Sequence, residues 1–266
     1  MKNDLWKNEE IKAAIPAFLK LYAKKPIADN EGGMNSPHMF ATWFILKKIE
    51  PKYIIESGVY KGQSTWLFEN TVPDSKIFSI DINLNQRKYI SEQITYFEKD
   101  FNKIEWSFIP DKENAVLFFD DHQNAFERVL SAHAMGFKKF IFEDNYPPGK
   151  GDSYSLKQVF EFSGFKPVNV IPRTFKALIK FALNFIKASI IIEPNQKDAK
   201  LLNEIGKTYF TFPPVFTNPF TRWGDEWNNK SYITPEPLFK LVENDSLRIF
   251  KKEAGDYNWL CYFELK

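Results

Sequence analysis

The sequence is poor in cysteine and lacks an apolar stretch that is long and uncharged enough to cross a membrane. Cys261 is the single cysteine in 266 residues, which excludes an internal disulfide and a cage of thiolate metal ligands. The longest apolar stretch, residues 175–192, is interrupted by Lys176, Lys180 and Lys187, and the first residues lack the apolar core of a signal peptide. These absences predict a cytoplasmic protein without a membrane span.

The sequence also lacks a strong excess of either charge. Its 36 Lys and Arg residues against 34 Asp and Glu residues leave a formal charge of +2, and 44% of the residues are hydrophobic. This composition is typical of globular proteins and argues against a nucleic-acid partner. A chain of 266 residues can bury one large core, so a single domain with an embellishment is favoured over two independent folds.

Short apolar runs alternate with helical patterns through the middle of the chain. The runs are residues 53–55, 77–80, 94–97, 115–119 and 140–142, and the predicted helices between them are residues 64–69, 86–92 and 125–134. Such alternation predicts right-handed βαβ crossovers, and hence a doubly wound α/β fold with a mostly parallel sheet covered on both faces. Ligands of such sheets bind beyond the carboxyl ends of the strands, so those positions are the candidate sites.

The segments on either side of this pattern differ from it. Before it, one helix is predicted from apolar residues at helical spacing, and a second from Ser36-Pro37, a cap residue followed by proline. The first helix carries Ile11, Ile15, Phe18 and Tyr22. After residue 160 a stretch rich in Pro, Phe and Trp predicts an inserted lid. Two predicted strands, residues 247–250 and 259–265, flank a Gly255-Asp256 turn and predict a C-terminal antiparallel hairpin. The resulting division is N-terminal helices packing on the core (1–50), an α/β core (51–163), an insertion or lid (164–240) and terminal strands that complete the sheet (241–266).

The first predicted strand ends in a loop with two glycines. Gly58 and Gly62 allow the backbone to pass close to a ligand and begin a helix, with Ser64 in its first turn, whose free N–H groups face that ligand. A tight structural turn is the alternative. The nicotinamide fingerprint G-x-G-x-x-G requires glycine at position 60, which is Tyr60, so NAD is disfavoured.

Carboxylates follow the next two strands. Asp81 ends the second run, roughly twenty residues beyond the glycine turn, where a carboxylate can accept hydrogen bonds from both ribose hydroxyls. A solvated aspartate at a strand end is the alternative. The third run leads into Glu98-Lys99-Asp100-Phe101, where a polar group and an aromatic ring can flank an adenine.

The pattern Glu56-x-Gly58-x-x-x-Gly62 with Asp81 resembles the signature by which class I methyltransferases bind S-adenosylmethionine (SAM). The predicted terminal hairpin resembles the last two strands of that family, so the resemblance covers residues 50–163 and 245–266. It implies a Rossmann-like methyltransferase fold with SAM as the cofactor. The implied cofactor-binding residues are Glu56, Gly58, Gly62, Ser64, Asp81 and Asp100.

Acidic residues also follow the fourth and fifth predicted strands. The fourth ends in Asp120-Asp121-His122-Gln123 and the fifth in Glu143-Asp144-Asn145. Adjacent strand ends bring Asp120 within reach of Asp144 and Asn145, and three oxygen ligands suit Mg²⁺ or another hard divalent cation. The pattern is similar to metal-dependent O-methyltransferases of the catechol type and of the sugar- and antibiotic-modifying type. In those families an Asp after strand four and an Asp-Asn or Asp-Asp pair after strand five hold a metal that binds the acceptor's oxygens.

Two positions depart from these families. Gln123 stands where the catechol type has a Lys, and His122 stands where the sugar-modifying type has an Asp. His122 is a candidate general base because imidazole titrates near neutral pH, and Asp121 is a second candidate catalytic residue. The alternative is that Asp120 and Asp121 cap the following helix while His122 packs or is solvated.

These motifs together predict an enzyme. We expect a SAM-dependent methyltransferase that methylates a hydroxyl of a small molecule or sugar, where a divalent metal lowers the proton affinity of that hydroxyl. One alternative is a metal-free methyltransferase, or a SAM- or nucleotide-binding protein on the same fold that catalyses another reaction. A non-catalytic protein that keeps the cofactor pocket is a further alternative, which Gln123 in place of a catalytic Lys favours. Another is a peripheral membrane adaptor, suggested by the lysine-studded segment 175–187. A homodimer is left open, and His38 is interpreted as an ordinary structural residue.

Overall fold

Seven strands form a sheet between two layers of helices in the computed structural model. The structure describes residues 5–163, 195–216, 220–221, 226, 234–239, 245–253 and 259–266. The strands are β1 (Tyr53–Ser57), β2 (Lys76–Asp81), β3 (Thr95–Glu98), β4 (Ala115–Phe119), β5 (Lys139–Phe142), β6 (Gly206–Thr211) and β7 (Cys261–Leu265). The helices are α1 (Asn8–Tyr22), α2 (Ser36–Ile49), α3 (Gln63–Thr71), α4 (Ala125–Ala134), α5 (Leu156–Phe160), α6 (Gln196–Ile205) and α7 (Arg248–Glu253). Single 3₁₀ turns lie at Leu84–Gln86, Phe101–Lys103, Trp106–Phe108, Lys112–Asn114 and Asp245–Leu247.

The strand order is β3-β2-β1-β4-β5-β7-β6. Strands β1 to β5 pair in parallel, whereas β7 is antiparallel to both β5 and β6. The order reverses between β1 and β4, and such a switch point opens a crevice at the carboxyl ends of the strands. The predicted doubly wound α/β fold with an antiparallel terminal pair is confirmed.

Alternate residues of β4 enter two separate hydrophobic cores. Val116 and Phe118 face the core that contains α1, α2 and α3, whereas Leu117 and Phe119 face the core that contains α4, α5 and α6. Strands buried on both faces have continuous apolar sequences, which is why the runs at β1, β4 and β5 were recognisable. The predicted apolar face of α1 is confirmed, and its four residues are buried.

The helix predicted at residues 86–92 is wrong. A 3₁₀ turn at Leu84–Gln86 stands near its start, and the backbone N–H groups of Lys88 and Tyr89 both donate to the carbonyl oxygen of Lys61, at 2.9 and 3.1 Å. These groups are therefore used to hold the glycine loop and are not available for a helix of their own.

The strand predicted at residues 247–250 is also wrong. Leu247 and Phe250 are buried, and their spacing of three suits the helical turn that the structure places there. Phe250 packs against Phe18 and Phe40 of the N-terminal helices, at ring-centroid distances of 5.8 and 5.6 Å. The strand predicted at residues 259–265 is confirmed by β7, but its antiparallel partner is β6, which lies within the predicted insertion.

Among the residues that the structure describes, no helix is both long and apolar enough to cross a membrane. The lysine-studded segment 175–187 lies outside the described residues, as does much of the insertion at 164–240. The lid function of the insertion therefore stays a prediction.

Candidate active site

The loop between β1 and α3 crosses the end of β4 at the switch point of the sheet. Gly58 has a φ of 99°, and a Cβ atom at this position would lie 2.0 Å from the carbonyl oxygen of Asp120. Gly62 has a φ of 87°, and its Cβ would lie 2.8 Å from the carbonyl oxygen of Tyr89. Both glycines are thus required by close backbone contacts in addition to their left-handed conformation. Within the described part of the chain no side chain caps α3, which leaves the N–H groups of its first turn to a ligand or solvent.

Glu56 is buried beneath this loop and accepts three hydroxyl hydrogen bonds. Thr65 and Ser79 donate to it at 2.6 Å each, and Ser64 donates to its other carboxylate oxygen. Burial raises the pKa of Glu56 to about 7, and the three hydroxyl donors offset only part of that effect. Glu56 and Ser64 therefore join the start of α3 to β1 and β2.

A cavity of about 570 Å³ opens beyond the ends of β1, β2, β3 and β4. This volume lies in the range of small-molecule sites, roughly 300–1,000 Å³. Of the six residues that the sequence motif assigns to the cofactor, Gly58, Asp81 and Asp100 line the cavity, whereas Glu56, Gly62 and Ser64 do not.

Asp81 connects the end of β2 to the glycine loop. Its Oδ2 accepts hydrogen bonds from the backbone N–H groups of Val59 and Tyr60, at 2.9 and 3.2 Å, and its Oδ1 accepts one from Asn83 at 3.0 Å. A carboxylate has about four lone-pair positions, so Asp81 retains capacity for a further donor such as a hydroxyl.

Arg128 of α4 links two carboxylates that line the same cavity. Its guanidinium binds both oxygens of Asp100, at 3.2 and 2.7 Å, and lies 2.9 Å from Asp121. The Arg128 hydrogen bonds lower the pKa of Asp100, whereas burial raises the pKa of Asp121 despite Arg128. Ser57 also donates to Asp121 at 2.6 Å. The sequence reasoning missed Arg128, whose signal was a charged residue three positions after buried Ala125 on the apolar face of α4.

A smaller cavity of about 180 Å³ adjoins the larger one and contains a possible metal site. One oxygen each of Asp120 and Asp144 and one ring nitrogen of His122 all lie within 4.8 Å of one another. Burial, followed by the charges of Glu143 and Asp144, raises the pKa of Asp120 well above its usual value. Carboxylates that are buried together in this way are stabilised by a cation.

His122 is held close to two carboxylates. Its backbone is left-handed, with a φ of 52°, and its Nδ1 lies 2.9 Å from Asp144 and 3.3 Å from Asp152. These two contacts, Asp144 first, raise the pKa of His122 to about 11. The imidazole is consequently protonated at neutral pH.

Asn145 does not join this group. Its side chain is buried, its Nδ2 donates to the Tyr209 hydroxyl at 2.9 Å, and its Oδ1 accepts from the Lys157 backbone N–H at 2.8 Å. Of the three predicted metal ligands the structure thus brings Asp120 and Asp144 together and places Asn145 in the core, with His122 beside them instead.

His38 and Glu143 form a pair in the wall of the smaller cavity. Nδ1 of His38, on α2, contacts a carboxylate oxygen of Glu143, which follows β5. Burial raises the pKa of Glu143, but His38 outweighs it and brings the pKa to about 2. The sequence interpretation of His38 as an ordinary structural residue missed its position at this site, because nothing in the sequence indicates that α2 meets the end of β5.

No family model and no curated protein matches the sequence. Solved structures that match include CmcI with SAH, the demethylated product of SAM, at 20% identity over 45% of this chain and 66% of CmcI (TM-score 0.37). A putative O-methyltransferase from Klebsiella pneumoniae is 12% identical over 97% of this chain and 95% of that chain (TM-score 0.43). The SAH-bound methyltransferase PaMTH1 from Podospora anserina is 14% identical over 70% of this chain and 91% of that chain (TM-score 0.39). Similarity this low transfers neither a reaction nor a substrate to this chain.

Proposed function

We propose that this chain is a SAM-dependent methyltransferase that methylates a hydroxyl group of a small acceptor with the help of a divalent cation. The observation that carries the proposal is the meeting of two cavities at Asp120 and His122. One cavity has the size and the carboxylate expected for a nucleoside cofactor, and the other contains a cluster of metal-ligating atoms. A methyl donor and a metal-held acceptor have to meet at such a junction.

The residues of the larger cavity fit SAM. Asp81 retains a lone-pair position for the ribose hydroxyls, and the uncapped start of α3 offers N–H groups to a carboxylate. Gly58 lets the loop approach the junction without a side chain in the way.

The residues of the smaller cavity fit a divalent cation. Asp120 and Asp144 supply carboxylate oxygens, which suit Mg²⁺ or Mn²⁺. When bound, the cation lowers the pKa of the acceptor hydroxyl. We assign His122 the role of proton acceptor. If Asp144 held a cation, His122 would keep only the Asp152 contact of the two that raise its pKa, and the imidazole would then release its proton more readily and be able to accept one from the hydroxyl.

Titration calorimetry tests the cofactor assignment. SAM or SAH should bind the wild type with a Kd on the order of micromolar, and Asp81→Asn should weaken that binding at least about tenfold because a charged acceptor is lost. Asp74→Asn is the matched control, because Asp74 is an exposed aspartate in the turn after α3. Binding of NAD in place of SAM, or unchanged affinity in Asp81→Asn, contradicts the assignment.

Electron paramagnetic resonance with Mn²⁺ tests the metal assignment. Asp144→Asn should abolish Mn²⁺ binding and spare SAH binding, whereas His122→Ala should retain Mn²⁺ and slow methyl transfer by roughly 10²–10⁴-fold. Loss of Mn²⁺ in His122→Ala makes His122 a ligand instead of a base. A wild type that binds SAH but no metal favours the non-catalytic or metal-free alternatives, and full turnover in EDTA removes the cation from the mechanism.

A further inference from the structure

A buried arginine borders the larger cavity, and one of its nitrogens lacks a hydrogen-bond partner among the described residues. Arg128 is 4% exposed, and its two terminal nitrogens donate to Asp100 and contact Asp121. Its third nitrogen, Nε, carries one N–H group, and this nitrogen is buried without a hydrogen-bond partner among the residues that the structure describes. A buried donor without an acceptor is destabilising, so its presence in the wall of a cavity indicates a ligand that supplies the acceptor.

The surroundings of Arg128 define what kind of acceptor fits. Asp100 and Asp121 already place two carboxylates on the single guanidinium, which disfavours a phosphate or another anionic group. The guanidinium carbon also lies 5.8 and 5.7 Å from the ring centroids of Phe101 and Phe119. A neutral, flat, partly apolar group with a hydrogen-bond acceptor in its plane matches this environment.

The position of Arg128 in the cavity agrees with a nucleoside base. Along the sheet, the metal-ligating atoms follow β4 and β5, Asp81 ends β2, and Asp100 follows β3. Asp100 is therefore farther from the metal-ligating atoms than Asp81 is in the strand order. If Asp81 holds the ribose and the methyl group meets the acceptor near Asp120, the base lies on the β3 side. The ring nitrogens of adenine are neutral in-plane acceptors, and a guanidinium can only donate.

We propose that Arg128 recognises the adenine of the cofactor by donating a hydrogen bond from Nε to a ring nitrogen. The inference rests on the proposed function, since it takes SAM as the ligand. Asp100 and Asp121 act through Arg128, because their contacts with its terminal nitrogens fix the direction of the Nε–H bond.

Calorimetry with SAH and its 1-deaza, 3-deaza and 7-deaza analogues tests the proposal, because each analogue lacks one ring nitrogen. The wild type should bind one of the three about tenfold more weakly than SAH, the loss typical of a hydrogen bond from a charged donor. Arg128→Lys and Arg128→Met should bind SAH more weakly and no longer distinguish that analogue from SAH. Arg87→Lys is the matched control and should keep the discrimination, since Nε of Arg87 already donates to the Leu84 carbonyl oxygen at 2.8 Å.

The outcomes separate this inference from the function on which it rests. Failure of the wild type to bind SAH overturns the cofactor assignment itself. If the wild type binds SAH and all three analogues with equal affinity, the Arg128 inference alone is overturned. This measurement uses only the wild type, so it does not depend on whether a variant folds. Arg128 variants that weaken every ligand equally and keep the discrimination show that Arg128 merely supports the cavity wall, which also overturns it.

Discussion

Replacement of Gly58 by alanine tests how tightly the glycine loop is held against β4. The new Cβ would lie 2.0 Å from the carbonyl oxygen of Asp120 and 3.1 Å from the backbone nitrogen of Asp121. The two segments would have to separate by about 1.4 Å, the difference between 2.0 Å and the 3.4 Å at which ordinary contact begins. That separation strains the hydrogen bonds from Asp120 N to Ser57 O, at 2.8 Å, and from Gly58 N to Ile80 O, at 2.9 Å.

The matched control is Gly136→Ala. Gly136 has a φ of 93°, and among the described residues a Cβ there would meet only the side-chain Cδ of Lys112, at 3.6 Å. This variant isolates the effect of a left-handed alanine, which lowers the free energy of unfolding by about 1–2 kcal/mol. Alanine also reduces the conformational entropy of the unfolded chain, which offsets this loss by about 0.4–1 kcal/mol. Gly58→Ala adds overpacking and weakened hydrogen bonds, so we expect it to be less stable than Gly136→Ala by about 2–4 kcal/mol.

Urea unfolding measures this difference, and calorimetry should show a gap in Tm of roughly 2–4 °C per kcal/mol. Gly58→Ala should also lose SAH binding at temperatures where it is still folded, whereas Gly136→Ala should bind SAH like the wild type. Equal stability of the two variants would refute the inferred close contact between the glycine loop and Asp120.

Two further predictions concern buried polar residues near the site. Asn145→Ala should lower the unfolding free energy by about 1–3 kcal/mol, since it removes a hydrogen bond to the Tyr209 hydroxyl and one to the Lys157 N–H. Its Mn²⁺ affinity should be unchanged, and a loss of Mn²⁺ binding equal to that of Asp144→Asn would make Asn145 a ligand. Glu56→Gln should alter how stability depends on pH: burial raises the folded-state pKa of Glu56 from 4.5 to about 7, so the wild type should lose stability relative to the variant as the pH rises through this range. Urea midpoints on either side of the range check the second prediction, which a pH-independent difference would contradict.

The central part of the fold was predictable because its strands carry their burial pattern in the sequence. Strand β4 is buried along its whole length and appears as a continuous apolar run, and α4 begins and ends where it was predicted. Strand β6 was missed because it lies at the edge of the sheet, where its burial alternates, inside a segment whose Pro and aromatic content suggested an insertion. The helix prediction for residues 86–92 was wrong because backbone N–H groups of this segment donate to a distant loop, which no local pattern reveals.

The candidate site was predictable to the level of strand ends but not to the side chains that face the cavities. Asp144 joins the metal-ligating group, whereas the side chain of Asn145 binds Tyr209 and Lys157, and the sequence does not say which of two adjacent polar residues faces a cavity. His38 and Arg128 were missed for a different reason. Both lie on helices, and the rotation of a helix about its axis is determined by its packing against the sheet.

The two cavities share a wall that depends on the glycine loop. Gly32 and Gly33 line both cavities, and the loop that carries them has hydrogen bonds to the residues between Gly58 and Gly62. The Tyr60 hydroxyl donates to the carbonyl oxygen of Glu31 at 3.1 Å, and Nζ of Lys61 donates to the same oxygen at 3.1 Å. Tyr60 is itself left-handed, with a φ of 47°, so its conformation is maintained by these contacts and by Asp81. Tyr60 and Lys61 therefore join the glycine loop to the segment that borders both cavities.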